Sequence, residues 1–361
     1  MNWSPEQDNA LLEVERWRKA GESQVFRLFG YAGAGKTTLA RHIAENAGGD
    51  VAFGAFTGKA AHVMRQKGCV GATTIHSLIY RPASSEGEDE PQFAIRHDAP
   101  AADADLIVID ECSMVDEELG RDLLSFNKPV LVLGDPAQLP PVKGGGFFTE
   151  GEPDFMLTEI HRQAADNPII RLSMAIRAGE PFDEHSDECR LISRKDISTE
   201  AIMEADQILV GANRTRKRYN DRLRELHGYS GSSPESGEKL VCLRNNKKKG
   251  LLNGGIWSVE NQMKPKGQRV RFIVRPEEGG KSVKVSVPRG FFIDGPESVP
   301  WLQRKGADEF DYGYALTVHK AQGSQWDNIV LFDESFMFRE HAARWLYTGV
   351  TRAAERLTLV R

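Results

Sequence analysis

Paired cysteines are missing from this sequence. Cys69, Cys112, Cys189 and Cys242 are scattered over 361 residues. Their spacing suits neither a disulfide framework nor a cysteine-built zinc site. Long apolar runs are missing as well, and none approaches the roughly 20 residues that cross a bilayer. The opening stretch MNWSPEQDNALLEVERWRKAG breaks its apolar positions with charge, unlike a signal peptide. These absences read as a soluble, cytoplasmic, intracellular protein with no membrane partner. Excess positive charge is absent too. The net charge is −5, which speaks against a chain that coats nucleic acid with its whole surface. The distribution is uneven, however. Residues 211–361 hold 27 Lys and Arg against 17 Asp and Glu, whereas residues 1–210 hold 20 against 35. The later part can therefore present a basic face, although solvated surface charge of no special purpose gives the same count. No internal repeat and no low-complexity tract is present.

What is present is an alternation of strand and helix patterns. A helix is expected over residues 8–19, after a Ser4-Pro5 start signal, where Leu11, Leu12, Val14 and Trp17 recur at helical spacing. VFRLFG, VAFGAF, DLIVID and PVLVLGD read as strands, with helices KTTLARHIAENA and KAAHVMRQ between them. This is the signature of a parallel sheet covered on both faces. Residues 81–102 interrupt it with an acidic, proline-containing stretch, read as a hairpin or loop insert. A second series follows, with IIRLSMAIRAG as helix, QILVGA as strand and RTRKRYNDRLRELHG as a basic helix. Residues 236–299 change character to short strands separated by Gly, Asn and Lys turns, a small all-β insert. NIVLFD and RLTLV then resume the α/β pattern. The expected fold class is α/β with two parallel-sheet domains, at 1–160 and 161–361, each carrying one insert.

The chemistry begins at Gly30-Tyr31-Ala32-Gly33-Ala34-Gly35-Lys36-Thr37. It fits G-x-x-x-x-G-K-[ST] between a strand and a helix. Gly33 and Gly35 let backbone N–H groups close on phosphate oxygens at a helix N-terminus. Lys36 would reach the β- and γ-phosphates, Thr37 would ligate Mg²⁺, and Thr38 continues the turn. A glycine-rich turn with an exposed lysine is the plainer reading. LIVIDE delivers Asp110 and Glu111 together at a strand's carboxyl end. Asp110 can hold the metal, and Glu111 can orient and deprotonate water. Such a pair standing alone is often a helix cap. In VLVLGDPAQLPPV, Gln138 can hydrogen-bond a γ-phosphate, or Gly134 and Pro136 can simply build a turn. Arg162 in EIHRQ and Arg352 in LYTGVTRAAERL read singly as surface arginines. Beside a phosphate loop, Arg352 can act as an arginine finger from the second domain. ATP and Mg²⁺ are the expected cofactors.

Taken in order, GYAGAGKTT, AFTGKAA, TTIHSL, VIDECSM, LGDPAQLPPV, EIHRQ, YALTVHKAQGSQWD and LYTGVTRA resemble the motif series of superfamily 1 helicases. The likeness is to the RecD-like and phage Dda-like members of the 5′-to-3′ branch, and it runs from about residue 30 to 352. The resemblance implies two RecA-like domains with ATP between them and single-stranded DNA across their tops. It also implies a pin in the first domain and an SH3-like barrel in the second, which match the two inserts. By position, Gln7 corresponds to an adenine-reading glutamine. Thr57, Lys59, Thr74 and His76 correspond to DNA contacts of the first domain, and Asn213, Thr317, His319 and Lys320 to those of the second. Gln322 and Gly323 would face the nucleotide across the cleft. Phe93, a lone large aromatic in the pin, is either a wedge at the fork or a staple to the first domain. The short acidic pin and a barrel region without a family signature depart from the pattern and bear on strand separation, not on the motor. The implied partners are single-stranded DNA and single-strand/duplex junctions, with a replication or recombination protein as a further partner. A nucleotide-gated module that remodels a partner and an RNA helicase of the same superfamily remain open alternatives. No nuclease constellation accompanies Asp110 and Glu111.

Overall fold

The computed structural model describes residues 3–82, 93–141, 144–159, 167–183, 186–277 and 279–361. Its first helix, Pro5–Ala20, starts earlier than hydrophobic spacing alone suggests, because Ser4 and Gln7 form a reciprocal capping box. The chain then supplies eight strands: β1 (Val25–Gly30), β2 (Val51–Ala55), β3 (Thr73–Thr74), β4 (Tyr80–Pro82), β5 (Phe93–Ile95), β6 (Leu106–Asp110), β7 (Val130–Gly134) and β8 (Phe155–Leu157). Six of them build one sheet in the order β3-β2-β6-β7-β1-β8, parallel at every pairing. All residues of β6 and β7 are buried, as a sheet covered on both faces requires. On one face, Leu39, Ile43, Ala61 and Met64 pack with Ala10 and Val14 against Leu28, Val108 and Leu131. On the other, Ile75, Leu78, Leu119 and Leu123 pack against Phe29, Ile107 and Val132. The adjacent strands β6, β7 and β1 end on Asp110, Gly134 and Gly30 at one edge. That carboxyl edge is where ligands sit in such sheets.

Strands β4 and β5 pair antiparallel, Tyr80 opposite Ile95. The connection between them, 83–92, lies outside the described residues, as do the side chains of Pro82 and Phe93.

The later part of the chain holds β9 (Cys189–Ile192), β10 (Gln207–Val210), β11 (Lys239–Cys242), β12 (Ile256–Lys266), β13 (Arg269–Pro276), β14 (Val283–Pro288), β15 (Phe310–Tyr312), β16 (Ala315–Thr317), β17 (Trp326–Phe332) and β18 (Ala353–Val360). A second parallel sheet runs β16-β10-β17-β18-β9. An antiparallel sheet runs β14-β13-β12-β11-β15. Its last strand arrives from beyond residue 299, where the all-β stretch was expected to end, because β15 pairs with β11. The two sheets share a core in which Ile208, Val210 and Leu223 meet Trp257, Phe272 and Phe310. The basic helix, Asn213–Leu226, spans the junction. From it Arg216 Nη1 reaches Asp311 Oδ2 at 2.6 Å, both side chains buried. Breaking a buried pair of this kind strands a charge and costs about 3–5 kcal/mol. Among the described residues, all four cysteines are buried and free, and no helix is long and apolar enough to cross a membrane.

Candidate functional site

The glycine-rich loop leaves β1 at Gly30. Gly33 and Gly35 take φ of 83° and 80°, a region that side-chain-bearing residues avoid. Gly35 is the N-cap of the helix Lys36–Glu45, and no side chain caps that end. The first-turn N–H groups therefore face the loop. Lys36 Nζ folds back over it, donating to Gly30 O at 2.6 Å and Tyr31 O at 3.0 Å. Thr37 Oγ1 donates to Asp110 Oδ2 at 2.9 Å. A hydroxyl and a carboxylate side by side are the hard oxygen donors that suit Mg²⁺, which fills its remaining positions with phosphate oxygens and water.

Asp110 Oδ1 accepts the Glu111 N–H at 2.8 Å. Glu111 itself lies in the left-handed region, φ 54° and ψ 45°, uncommon for a residue with a side chain. Burial pushes its carboxyl above the ordinary glutamate range. Arg352 works against that shift, Asp110 reinforces it, and Lys36 opposes it again. Glu111 and Arg352 both line a cleft of about 550 Å³, together with Gly33, Gly35, Lys36, Thr37, Thr38, Asp110, Gln138 and Gly323. Arg352 is buried and held by its own neighbourhood. Its Nε donates to Thr348 O at 3.1 Å, Nη1 to Ser324 O at 3.3 Å and Nη2 to Thr351 Oγ1 at 3.2 Å. Gln138 is buried, and its Oε1 has no hydrogen-bond partner among the described residues. Gln7 lies against the loop. Its Oε1 accepts the Ser4 N–H at 3.1 Å, and Nε2 donates to Ala34 O at 3.3 Å. Arg162 lies outside the described residues.

Five of the expected nucleic-acid residues line two neighbouring recesses, whereas Thr74, His76 and Thr317 line neither. Thr57, Lys59, His319 and Lys320 line one of about 350 Å³. Asn213, exposed in the first turn of its helix, lines the other with Arg214 and Lys217. Glu297 borders both. Lys59 is buried with its ammonium 4.9 Å from the Trp326 ring centroid, and it lines the nucleotide cleft as well. Thr57, Thr74 and Thr317 share a local duty, since each side chain is a helix N-cap. His76 rests between the Phe56 and Tyr80 rings, and burial lowers its pKa. His319 packs on Phe338, which stacks on Trp345. Burial, and then His341, lower its pKa.

Sequence reasoning missed Tyr347 and Thr348, two of the side chains that join the two parts of the chain, and read the third, Gln322, as facing a nucleotide, whereas its amide holds Leu139. Tyr347 O–H donates to Asp135 Oδ2 at 2.6 Å and accepts the Ala32 N–H at 3.3 Å. Thr348 Oγ1 accepts the Leu139 N–H at 2.9 Å, and Gln322 Nε2 donates to Leu139 O at 3.0 Å. Tyr347 and Thr348 stand inside LYTGVTRA, the motif read only for Arg352. A buried tyrosine needs a partner for its hydroxyl, and that requirement was the available signal.

Residues 3–192 match the family described as AAA domain, and residues 312–360 match the UvrD-like helicase C-terminal domain. The chain is 28% identical over 360 residues to the ATP-dependent RecD2 DNA helicase of Deinococcus radiodurans, covering 91% of this chain and 46% of that protein. It is 26% identical over 399 residues to the conjugal transfer protein TraA of Rhizobium radiobacter, covering 99% of this chain and 32% of the relative. The chain thus spans less than half the length of these curated relatives. Its fold is similar to a Pif1 helicase studied at forked double-stranded DNA, with a TM-score of 0.62 and 18% identity over 99% of this chain and 92% of that one. The Bacteroides Pif1 helicase in complex with ADP-AlF3 and single-stranded DNA gives 0.61, with 19% identity over 99% and 92%. The Candida albicans Pif1 helicase gives 0.59, with 18% identity over 100% and 94%. The two parallel sheets correspond to the two RecA-like domains of that fold.

Proposed function

The chain belongs to the AAA-domain family, among superfamily 1 helicases of the RecD-like and Pif1-like kind, and from that premise we propose that it is an ATP-driven DNA translocase that unwinds duplexes. The observation that carries the proposal is the cleft itself. Glu111 and Arg352, more than 200 residues apart in the chain, line it together with the glycine-rich loop. Lys36 leaves its two loop carbonyls to take the β- and γ-phosphates. Thr37 and Asp110 would hold Mg²⁺, which would supply neutralisation of the charge that develops on the phosphates. Glu111 takes the proton of the attacking water, and Arg352 stabilises the charge that spreads over the transferred phosphoryl group. Gln138, with its unpartnered Oε1 in the cleft, turns to the γ-phosphate. Arg162 is a second arginine proposed for that role. Gln7 would exchange an internal bond for the adenine edge.

DNA runs over the recesses lined by Thr57, Lys59, His319, Lys320 and Asn213, with Thr74, His76 and Thr317 beside them. The three threonines serve as caps, so their contacts to phosphate come from the helix-start amides they organise. Cleft closure on ATP and reopening after hydrolysis then moves one grip relative to the other. Movement is 5′ to 3′, a reading by family analogy. The protein works inside the cell on single strands and junctions, with a replication or recombination protein as partner.

Unwinding of duplexes carrying 5′ or 3′ single-stranded tails, with DNA and RNA versions compared, tests all of this. ATP-dependent opening of 5′-tailed DNA is the expected result. DNA-stimulated ATPase with no directional movement would instead identify a remodelling module.

A further inference from the structure

One hydroxyl ties three elements together. Tyr347 is fully buried on the helix Ala342–Val350. Its O–H reaches Asp135 Oδ2 at 2.6 Å, just past the end of β7, and its oxygen accepts the Ala32 N–H of the phosphate loop at 3.3 Å. The rest of the Asp135 carboxylate accepts the Ala137 N–H at 3.0 Å. We propose that the Tyr347 hydroxyl is a positioning group for ATP hydrolysis, coupling the phosphate loop and the Asp135–Leu139 turn to the segment that carries Arg352. The inference rests on the ATPase reading above.

The contacts around the hydroxyl point the same way. Arg352 Nε is fastened to Thr348 O at 3.1 Å, one residue beyond Tyr347. Thr348 Oγ1 and Gln322 Nε2 grip Leu139 by its N–H and its carbonyl. Leu139 directly follows Gln138, whose Oε1 is unpartnered in the cleft. The loop is touched once more from the later part of the chain, where the Arg177 guanidinium lies 3.4 Å from the Tyr31 ring centroid. Two consecutive loop residues thus bear on Arg177 and Tyr347. A shift of the loop around phosphate loads the helix that ends at the finger, and a shift of the finger loads the loop. Burial, reinforced by the Asp135 carboxylate, holds the phenol well above its ordinary pKa, so it stays a donor.

Tyr347→Phe keeps the ring and removes the bridge. With DNA-stimulated ATP turnover as readout, kcat should fall about tenfold to a hundredfold, the worth of a charge-assisted hydrogen bond. The KM for ATP should stay within about twofold, because the ground-state phosphate contacts are untouched. The melting temperature should move by only a few degrees. In an Arg352→Lys background the same change should cost less than about twofold more, since its effect passes through the arginine. Wild-type kcat in folded Tyr347→Phe, or a full multiplicative loss in the Arg352→Lys background, overturns the proposal. Should Tyr347→Phe not fold, Asp135→Asn weakens the bridge from its other end and must show the same kcat loss and the same non-additivity. Absent turnover in the wild type would remove the ATPase reading itself, whereas normal turnover in the variant removes only the coupling role.

Discussion

Glu111 combines an unfavourable backbone with an unfavourable charge. Its αL conformation costs of order 1–3 kcal/mol, and burial disfavours its ionised form. Both fit a residue kept for chemistry. Glu111→Gln should retain ATP and DNA binding while hydrolysis falls roughly 10²–10⁴-fold in a steady-state assay, the usual worth of a general base. Turnover near wild type would remove the assignment. The raised pKa also has a consequence for stability. A carboxyl raised by folding binds its proton more tightly in the native state. Its contribution is therefore fully present below the ordinary glutamate range and is lost as pH rises through the higher native value. At neutral pH the ionised form is a burden, so Glu111→Gln should melt at a higher temperature than the wild type. That advantage should shrink as the melts are repeated toward acid pH. The acid limb of the wild-type rate profile should likewise lie above the range of an ordinary carboxylate.

Whole elements bear on the three threonines assigned to nucleic acid. Thr57, Thr74 and Thr317 each start a helix, and their side-chain oxygens accept amide N–H groups three residues on. Thr74→Ala should destabilise the protein by about 0.5–2 kcal/mol in a denaturant titration, the cost of a lost N-cap. Stability equal to the wild type would leave the cap without weight. The hairpin base formed by β4 and β5 carries the other prediction at this scale. If Phe93 is the wedge, Phe93→Ala keeps DNA-stimulated ATPase and single-strand translocation and loses most unwinding. Base stacking of about 1–3 kcal/mol is what the fork would lose. If it is a staple, melting temperature and all three activities fall together. A stable, ATPase-competent Phe93→Ala protein that unwinds at the wild-type rate excludes the wedge.

Across the whole molecule, residues from both parts of the chain line a common cleft, and Lys59 lines both that cleft and the adjoining recess. Its partner Trp326 donates its backbone N–H to Arg352 O at 3.0 Å. The proposed DNA contact Lys59 and the proposed finger Arg352 are thus two contacts apart. For movement 5′ to 3′, streptavidin should be displaced from biotin at the 3′ end of a single strand. Faster displacement from the 5′ end would reverse the assigned polarity.

The glycine-rich loop, the acidic pair, Gln138 and Arg352, which the fold brings to one cleft, were each marked in the chain. Each depends on a local constraint: glycines at positive φ, carboxylates at the end of an apolar strand, and a lysine at a fixed spacing. The two parallel sheets were legible for a similar reason, since doubly buried strands such as LIVID and VLVLG write continuous apolar runs. Contacts between residues hundreds of positions apart leave no such mark. Nothing in the spacing of LYTGVTRA assigns Tyr347 to Asp135 and Ala32, or Thr348 to Leu139, because those bonds exist only after both sheets have formed and docked. The burial of Lys59, expected only as a DNA contact, was not legible for the same reason. Its motif specifies a helix start, and its burial over Trp326 comes from a strand that lies more than 260 residues later.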